Sequence, residues 1–140
     1  MMKKFVRSYW MELALFLAGL VLALAFYPFL PERIPMQWHN GEVTTTGPKL
    51  LAFLFPLLLL VPFVVHGIMS RPISLFPLLQ GFDRLLAVLI GVVLLSCELG
   101  VLLQAIGVAF RIEVLLLVEL LLVPVVLLAF VARKFLKKIP

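Results

Sequence analysis

Cysteine is nearly absent from this chain of 140 residues: Cys97 is the one thiol, so no intrachain disulfide can form. Aspartate occurs once, as Asp83, and histidine twice, as His39 and His66. Charged residues make up 14% of the chain, too little to cover a folded domain in water. Each shortage excludes something. There is no paired-histidine spacing and no Cys-x-x-Cys, so no metal site is expected. No serine sits in the glycine pattern of a nucleophile elbow and no glycine-rich loop cradles a phosphate. The chain is therefore read as a non-enzyme with no catalytic residue and no cofactor. Its net charge of +5 does not point to nucleic acid, because the basic residues follow a membrane pattern.

What the chain has in abundance is apolar sequence, 64% of its residues. A helix that crosses a hydrocarbon core of about 30 Å needs about 20 apolar residues. Four runs qualify, at 9–30, 50–69, 85–110 and 112–133. The first has the basic start of a signal peptide and the triplet Ala23-Leu24-Ala25, but it runs on far enough to span, so an anchoring helix is expected. The fold class is all-α, one integral membrane domain built as a four-helix transmembrane bundle. Gly107 is the expected turn between the third and fourth helices, which form a tight antiparallel pair. Pro56, Pro62 and Pro124 should interrupt or kink helices, and Tyr9, Trp10 and Trp38 suit aromatic belts.

Direction follows from lysine and arginine, which cytoplasmic loops retain. With the N-terminus inside, nine of the twelve basic residues are internal: Lys3, Lys4, Arg7, Arg71, Arg84, Arg133, Lys134, Lys137 and Lys138. Arg33, Lys49 and Arg111 fall outside. The expectation is a multi-pass plasma-membrane protein with both termini cytoplasmic. Residues 31–49 then form a long external loop and residues 70–84 an internal one. The internal loop is apolar, and Phe76, Leu78, Leu79 and Phe82 would rest at the headgroup boundary. His66 falls about 24 Å from the outer end of the second span, by the helical rise, so it cannot join His39 in one site. It reads as an inner-boundary residue.

Two acids, Glu98 and Glu119, lie deep in apolar runs, where a charge costs at least a few kcal/mol. Counting along the helices puts Glu98 about 20 Å above the inner surface and Glu119 about 10 Å below the outer one. In a core of about 30 Å they are level. The same hairpin symmetry pairs Gln104 with Glu113 nearer the outer surface, giving two polar rungs. One reading is a proton or cation site shared by Glu98 and Glu119. The other is a neutral Glu98 hydrogen-bonded to a carbonyl or to Gln104, packed among Gly91, Ser96, Gly100 and Ala105.

The external loop has its own logic. Pro28, Pro31 and Pro35 hold the chain extended, Asn40-Gly41 is a hairpin-turn signal and "EVTTT" has β character. Residues 34–46 are expected to form a small hairpin over the mouth of the bundle, broken by Gly47-Pro48. At about 19 residues the connection far exceeds the usual 2–8 between helices, which favours a function for it. Candidate ligand-binding residues are Gln37, Trp38, His39, Asn40, Glu42 and Lys49.

The stretch "YPFLPERIPMQWHNGEVTTTGPK" after a first membrane helix resembles the signature segment of the SdpI-like bacterial membrane proteins. Leu30, Pro31, Ile34, Pro35, Gln37, Trp38, Gly41 and Lys49 fall on its Leu-Pro-x-x-Ile-Pro, polar, aromatic, glycine and lysine positions. Many members carry histidine where this chain has Gln37, and residues 70–140 lack the Arg- and Trp-bearing motif of the immunity-type members. The resemblance covers the first half of the chain. It implies a small bacterial plasma-membrane protein acting in peptide immunity or signalling, with a secreted peptide as partner. The alternatives are a proton- or cation-coupled transport component using Glu98 and Glu119, and an accessory subunit of a larger membrane complex. Besides the bilayer, a membrane-protein partner or a homo-oligomer fits the composition.

Overall fold

Continuous apolar sequence in lipid must satisfy its backbone within itself, and helices do so. A computed structural model, which describes residues 2–74, 76, 79–109 and 111–137, is an all-α membrane bundle with four helical segments long enough to cross. Helix α1 (Met2–Phe26) breaks at Tyr9, whose φ of −115° and ψ of 21° are not helical. Beside that break the Ser8 carbonyl accepts a hydrogen bond from Arg84 Nη2 at 3.0 Å. The second crossing, Lys49–Arg71, is not one helix as the apolar run suggested. It comprises a 3-10 turn at Lys49–Phe53, a short α2 (Leu54–Leu58) and α3 (Val61–Ser74). Pro56 and Pro62 supply no N–H and flank the break, so the interruption follows from the sequence. The last two crossings are α4 (Phe82–Ala105) and α5 (Ile112–Leu136), the latter continuous through Pro124.

Several expected boundaries move, those around α4 most. The third helix ends at Ala105 rather than 110, because Gly107 adopts φ +90° and caps it. Val108 N–H bonds the Leu103 carbonyl at 3.0 Å and Gly107 N–H bonds that of Gln104 at 3.1 Å, the two bonds of a Schellman ending. The connection expected at 70–84 is shorter, since α3 continues to Ser74 and α4 begins at Phe82. The Phe82 ring packs on α5, 6.2 Å from that of Phe130. Leu78 of that connection lies outside the described residues.

Helix α4 is the hub, packing against α1, α3, α5 and the hairpin. Its buried face is Ala87, Gly91, Glu98, Gly100, Val101 and Leu102, and α1 presents Glu12, Gly19 and Ala23 buried in turn. Small residues at such a seam let backbones approach closely in the absence of a hydrophobic drive between helices. At Gly91 an added Cβ would lie 2.6 Å from Leu15 Cδ1 and 3.3 Å from Pro62 Cγ. Helix α5 packs chiefly on α4, and Ile112 is its one buried residue among those described. Away from its α4-facing side the helix is exposed and apolar, as a lipid-facing surface requires.

The long connection between α1 and the second crossing is a β-hairpin of β1 (Arg33–His39) and β2 (Glu42–Pro48). Asn40 (φ 52°) and Gly41 (φ 84°) form its two-residue turn, and two consecutive positive φ values are what a type I′ turn requires. Pairing extends past the expected Gly47-Pro48 break, with Ile34 opposite Gly47 and Arg33 opposite Pro48. The ladder skips Met36 on one strand and Thr44 on the other. The base of the hairpin is held by a core of Leu30, Ile34, Ala52 and Leu102, ringed by Phe26, Tyr27 and Met36 among others. Ile34 is fully buried there, worth about 1.5–3 kcal/mol of apolar burial.

Candidate functional site

The tip of the hairpin is held as firmly as its base. Trp38 donates its indole N–H to Gln104 Oε1 at 2.5 Å, and the Gly41 backbone N–H donates to Glu113 Oε1 at 2.8 Å. Gln104 lies in the last turn of α4 and Glu113 in the first turn of α5. Both residues that helix counting pairs in the shallower rung thus hold the hairpin. Trp38 is thereby a docking residue of the hairpin.

Between the tip and the α4–α5 turn lies a cleft of about 670 Å³. Its walls are Asn40, Gly41 and Glu42 on one side and Gln104, Gly107, Val108, Ala109 and Arg111 on the other. The Arg111 guanidinium passes close to the turn, its Nη2 lying 3.6 Å from where a Gly41 Cβ would stand. Glu42 and Arg111 are both exposed, so the cleft offers a carboxylate, a guanidinium and two amide side chains beside an apolar floor. That mixture suits an amphipathic ligand with charges of both signs.

Of the six loop residues singled out from the sequence, Asn40 and Glu42 line the cleft. The others serve the hairpin. Gln37 Oε1 accepts from Thr45 Oγ1 at 2.9 Å, and Trp38 docks on Gln104. His39 is exposed and stands opposite Glu42 in the ladder. Lys49 ties the base: its backbone N–H bonds the Glu32 carbonyl at 3.0 Å and its Nζ lies 3.4 Å from Glu32 Oε1 and 5.2 Å from the Tyr27 ring centre. Arg111 was missed as a site residue, having been counted only as one of three external charges.

The deeper rung differs from its sequence reading. Glu98 and Glu119 turn to different neighbours. Glu98 is fully buried against α1, with its Oε2 2.7 Å from the position a Gly19 Cβ would take. Neither oxygen of Glu98 has a hydrogen-bond partner among the described residues, so the expected bond to Gln104 or to a carbonyl does not form. Glu119 accepts from the Ser96 hydroxyl and borders an apolar groove with Val93, Leu116 and Pro124.

A further polar cluster lies at the end of the bundle away from the hairpin. Glu12 of α1 is fully buried and meets His66 Nδ1 of α3 at 2.5 Å. His66 Nε2 lies 3.6 Å from Asp83 Oδ2 of α4, and the Tyr9 ring centre is 4.6 Å from the imidazole. His66 is thus buried, with a carboxylate facing each ring nitrogen. Glu12 was overlooked because it falls early in its helix. The helical arithmetic that levelled Glu98 with Glu119 also levels it with His66, since each lies three residues in from an expected helix end. The two ring nitrogens face separate carboxylates on opposite edges of the ring, so the three side chains do not converge on one point as metal ligands would.

A family model described as Domain of unknown function (DUF1648) matches residues 14–60. Over that segment the chain is similar to this domain. The match takes in the second half of α1, the whole hairpin and the first turns of the second crossing. It leaves out Gln104 and Arg111 in the far wall of the cleft, and Glu113, which holds the hairpin tip. No curated protein and no solved structure matches the chain.

Proposed function

We propose that the protein is a non-enzymatic plasma-membrane receptor that recognises a secreted peptide at the cleft between the hairpin tip and the α4–α5 turn. One observation carries this reading. The hairpin is fixed at both ends, by the Ile34 core and by the bonds to Gln104 and Glu113, so the cleft is formed before any ligand arrives. A preformed site avoids the ordering cost of a flexible loop. A loop needed only to join two helices has no use for such bracing. The distribution of basic residues favours a hairpin outside the cell and termini in the cytoplasm. The resemblance of residues 27–49 to the SdpI-like signature favours immunity or signalling as the outcome of recognition. Transport through Glu98 and Glu119 as a pair finds less support, because the two carboxyls turn to different helices.

The reading is tested with cells that respond to a secreted peptide through this protein. Glu42→Ala and Arg111→Ala, at parental abundance, should weaken the response at least about tenfold, the equivalent of about 1.4 kcal/mol of binding. His39→Ala and Gln37→Ala should leave it within about twofold, since neither side chain lines the cleft. Full response from the Glu42 and Arg111 variants would remove the cleft as the binding site.

A further inference from the structure

Buried groups that ionise are costly in a membrane helix, and the Glu12–His66–Asp83 cluster contains three. They come from three different helices and form a graded series. The Asp83 side chain is 14% exposed, that of His66 7% and that of Glu12 0%. The Glu12–His66 contact is short enough that a hydrogen must lie between carboxylate and ring, because both heavy atoms carry lone pairs. The second oxygen of Glu12, Oε2, is buried with no hydrogen-bond partner among the described residues. A cluster serving only as glue between helices would pair that atom as well.

We propose that Asp83, His66 and Glu12 form a proton-binding site, filled from the water at the end of the bundle away from the hairpin. Asp83 is the port, since it is the most exposed of the three. A proton arriving on Asp83 Oδ2 passes to His66 Nε2 as the ring releases its Nδ1 proton to Glu12 Oε1. Only O–H and N–H bonds form and break, and His66 is neutral before and after. Rotation of the Asp83 carboxylate closes the 3.6 Å gap. The proton stops at Glu12, because Leu15, Pro62 and Gly91 pack tightly between this cluster and the level of Gly19 and Glu98. The site is thus a terminus for protons rather than a channel.

The surrounding ionisable groups fit this role. From α1 the Tyr9 ring covers the imidazole. From α4 the neighbouring Arg84 is engaged by the Ser8 carbonyl. On α3 itself Arg71 is exposed in the last turn, and α2 carries no ionisable residue. Occupancy of the site matters to the fold because the Glu12–His66 bond joins α1 to α3, beside the Tyr9–Phe63 ring contact between the same two helices.

The experiment uses the full chain labelled with ¹⁵N-histidine in detergent micelles, observed by NMR across about pH 4 to 10. With only two histidines, exposed His39 on the hairpin is an internal reference. As the pH falls, the ring nitrogens of His66 should change from the Nδ1–H to the Nε2–H tautomer with the ring still neutral, and that change should be lost in Glu12→Gln and in Asp83→Asn. Should Glu12→Gln fail to fold, the partly exposed Asp83 still allows the Asp83→Asn variant to decide. A His66 that keeps one tautomer across the range, or that changes tautomer equally in the parent and the folded variants, would overturn the proposal. The peptide cleft at the opposite end stands or falls independently.

Discussion

Trp38 and Gln104, 66 residues apart in sequence, meet through an indole N–H···O bond of 2.5 Å that fastens the hairpin to the end of α4. Trp38→Phe keeps the ring and loses the donor; Gln104→Leu leaves the donor without its partner. Either change should raise amide hydrogen exchange across residues 40–43 without altering exchange in α4 below Gly100. The two substitutions should be non-additive by about 0.5–1.5 kcal/mol, the scale of one hydrogen bond. Additive effects would mean that the bond does not couple the hairpin to the bundle.

The α1–α4 seam depends on Gly19. A methyl there would lie 2.7 Å from Glu98 Oε2 and would also run into Leu59. Gly19→Ala should therefore destabilise the bundle by about 1–3 kcal/mol in reversible unfolding from detergent. A variant as stable as the parent would show that the seam is looser than drawn.

Glu98 itself gives a contrasting expectation. Its carboxyl is buried without a hydrogen-bond partner among the described residues, so it does not act as interhelical glue. Glu98→Met should leave stability unchanged or raise it, by up to about 1–3 kcal/mol, the cost of an unsatisfied buried polar group. Destabilisation beyond about 1 kcal/mol would show that the carboxyl has a stabilising partner.

The glycine that ends α4 can be separated from packing. A Cβ on Gly107 would meet nothing within 4 Å, so Gly107→Ala isolates the backbone cost of φ +90°. Destabilisation of about 1 kcal/mol is expected, confined to the α4–α5 turn. A neutral result would mean that the turn readily adopts another conformation.

The architecture was legible in the sequence because apolar run length, proline position and the Asn-Gly turn act locally. Four crossings, the break near Pro56 and Pro62 and the Gly107 turn follow from those signals. The end of α4 at Ala105 was not legible, since Ile106 to Phe110 is apolar enough to continue a helix and only the glycine cap stops it. The candidate site was half legible. Asn40 and Glu42 were marked from the loop, but Arg111 enters through tertiary folding, when the hairpin leans on the α4–α5 turn. Helix counting gave Glu98 and Glu119 the same depth, but depth carries no information about rotation around the axis. Rotation sends one to Gly19 and the other to Ser96.

The central claim is that the cleft between hairpin tip and α4–α5 turn binds a peptide. Its most direct test is a photo-reactive amino acid in place of Val108, an exposed residue in the cleft wall, in cells exposed to secreted peptides. Irradiation should attach a small peptide to the protein, and Arg111→Glu in the same background should abolish the adduct. An adduct only with a large membrane protein, or a peptide adduct unaffected by Arg111→Glu, would contradict the account.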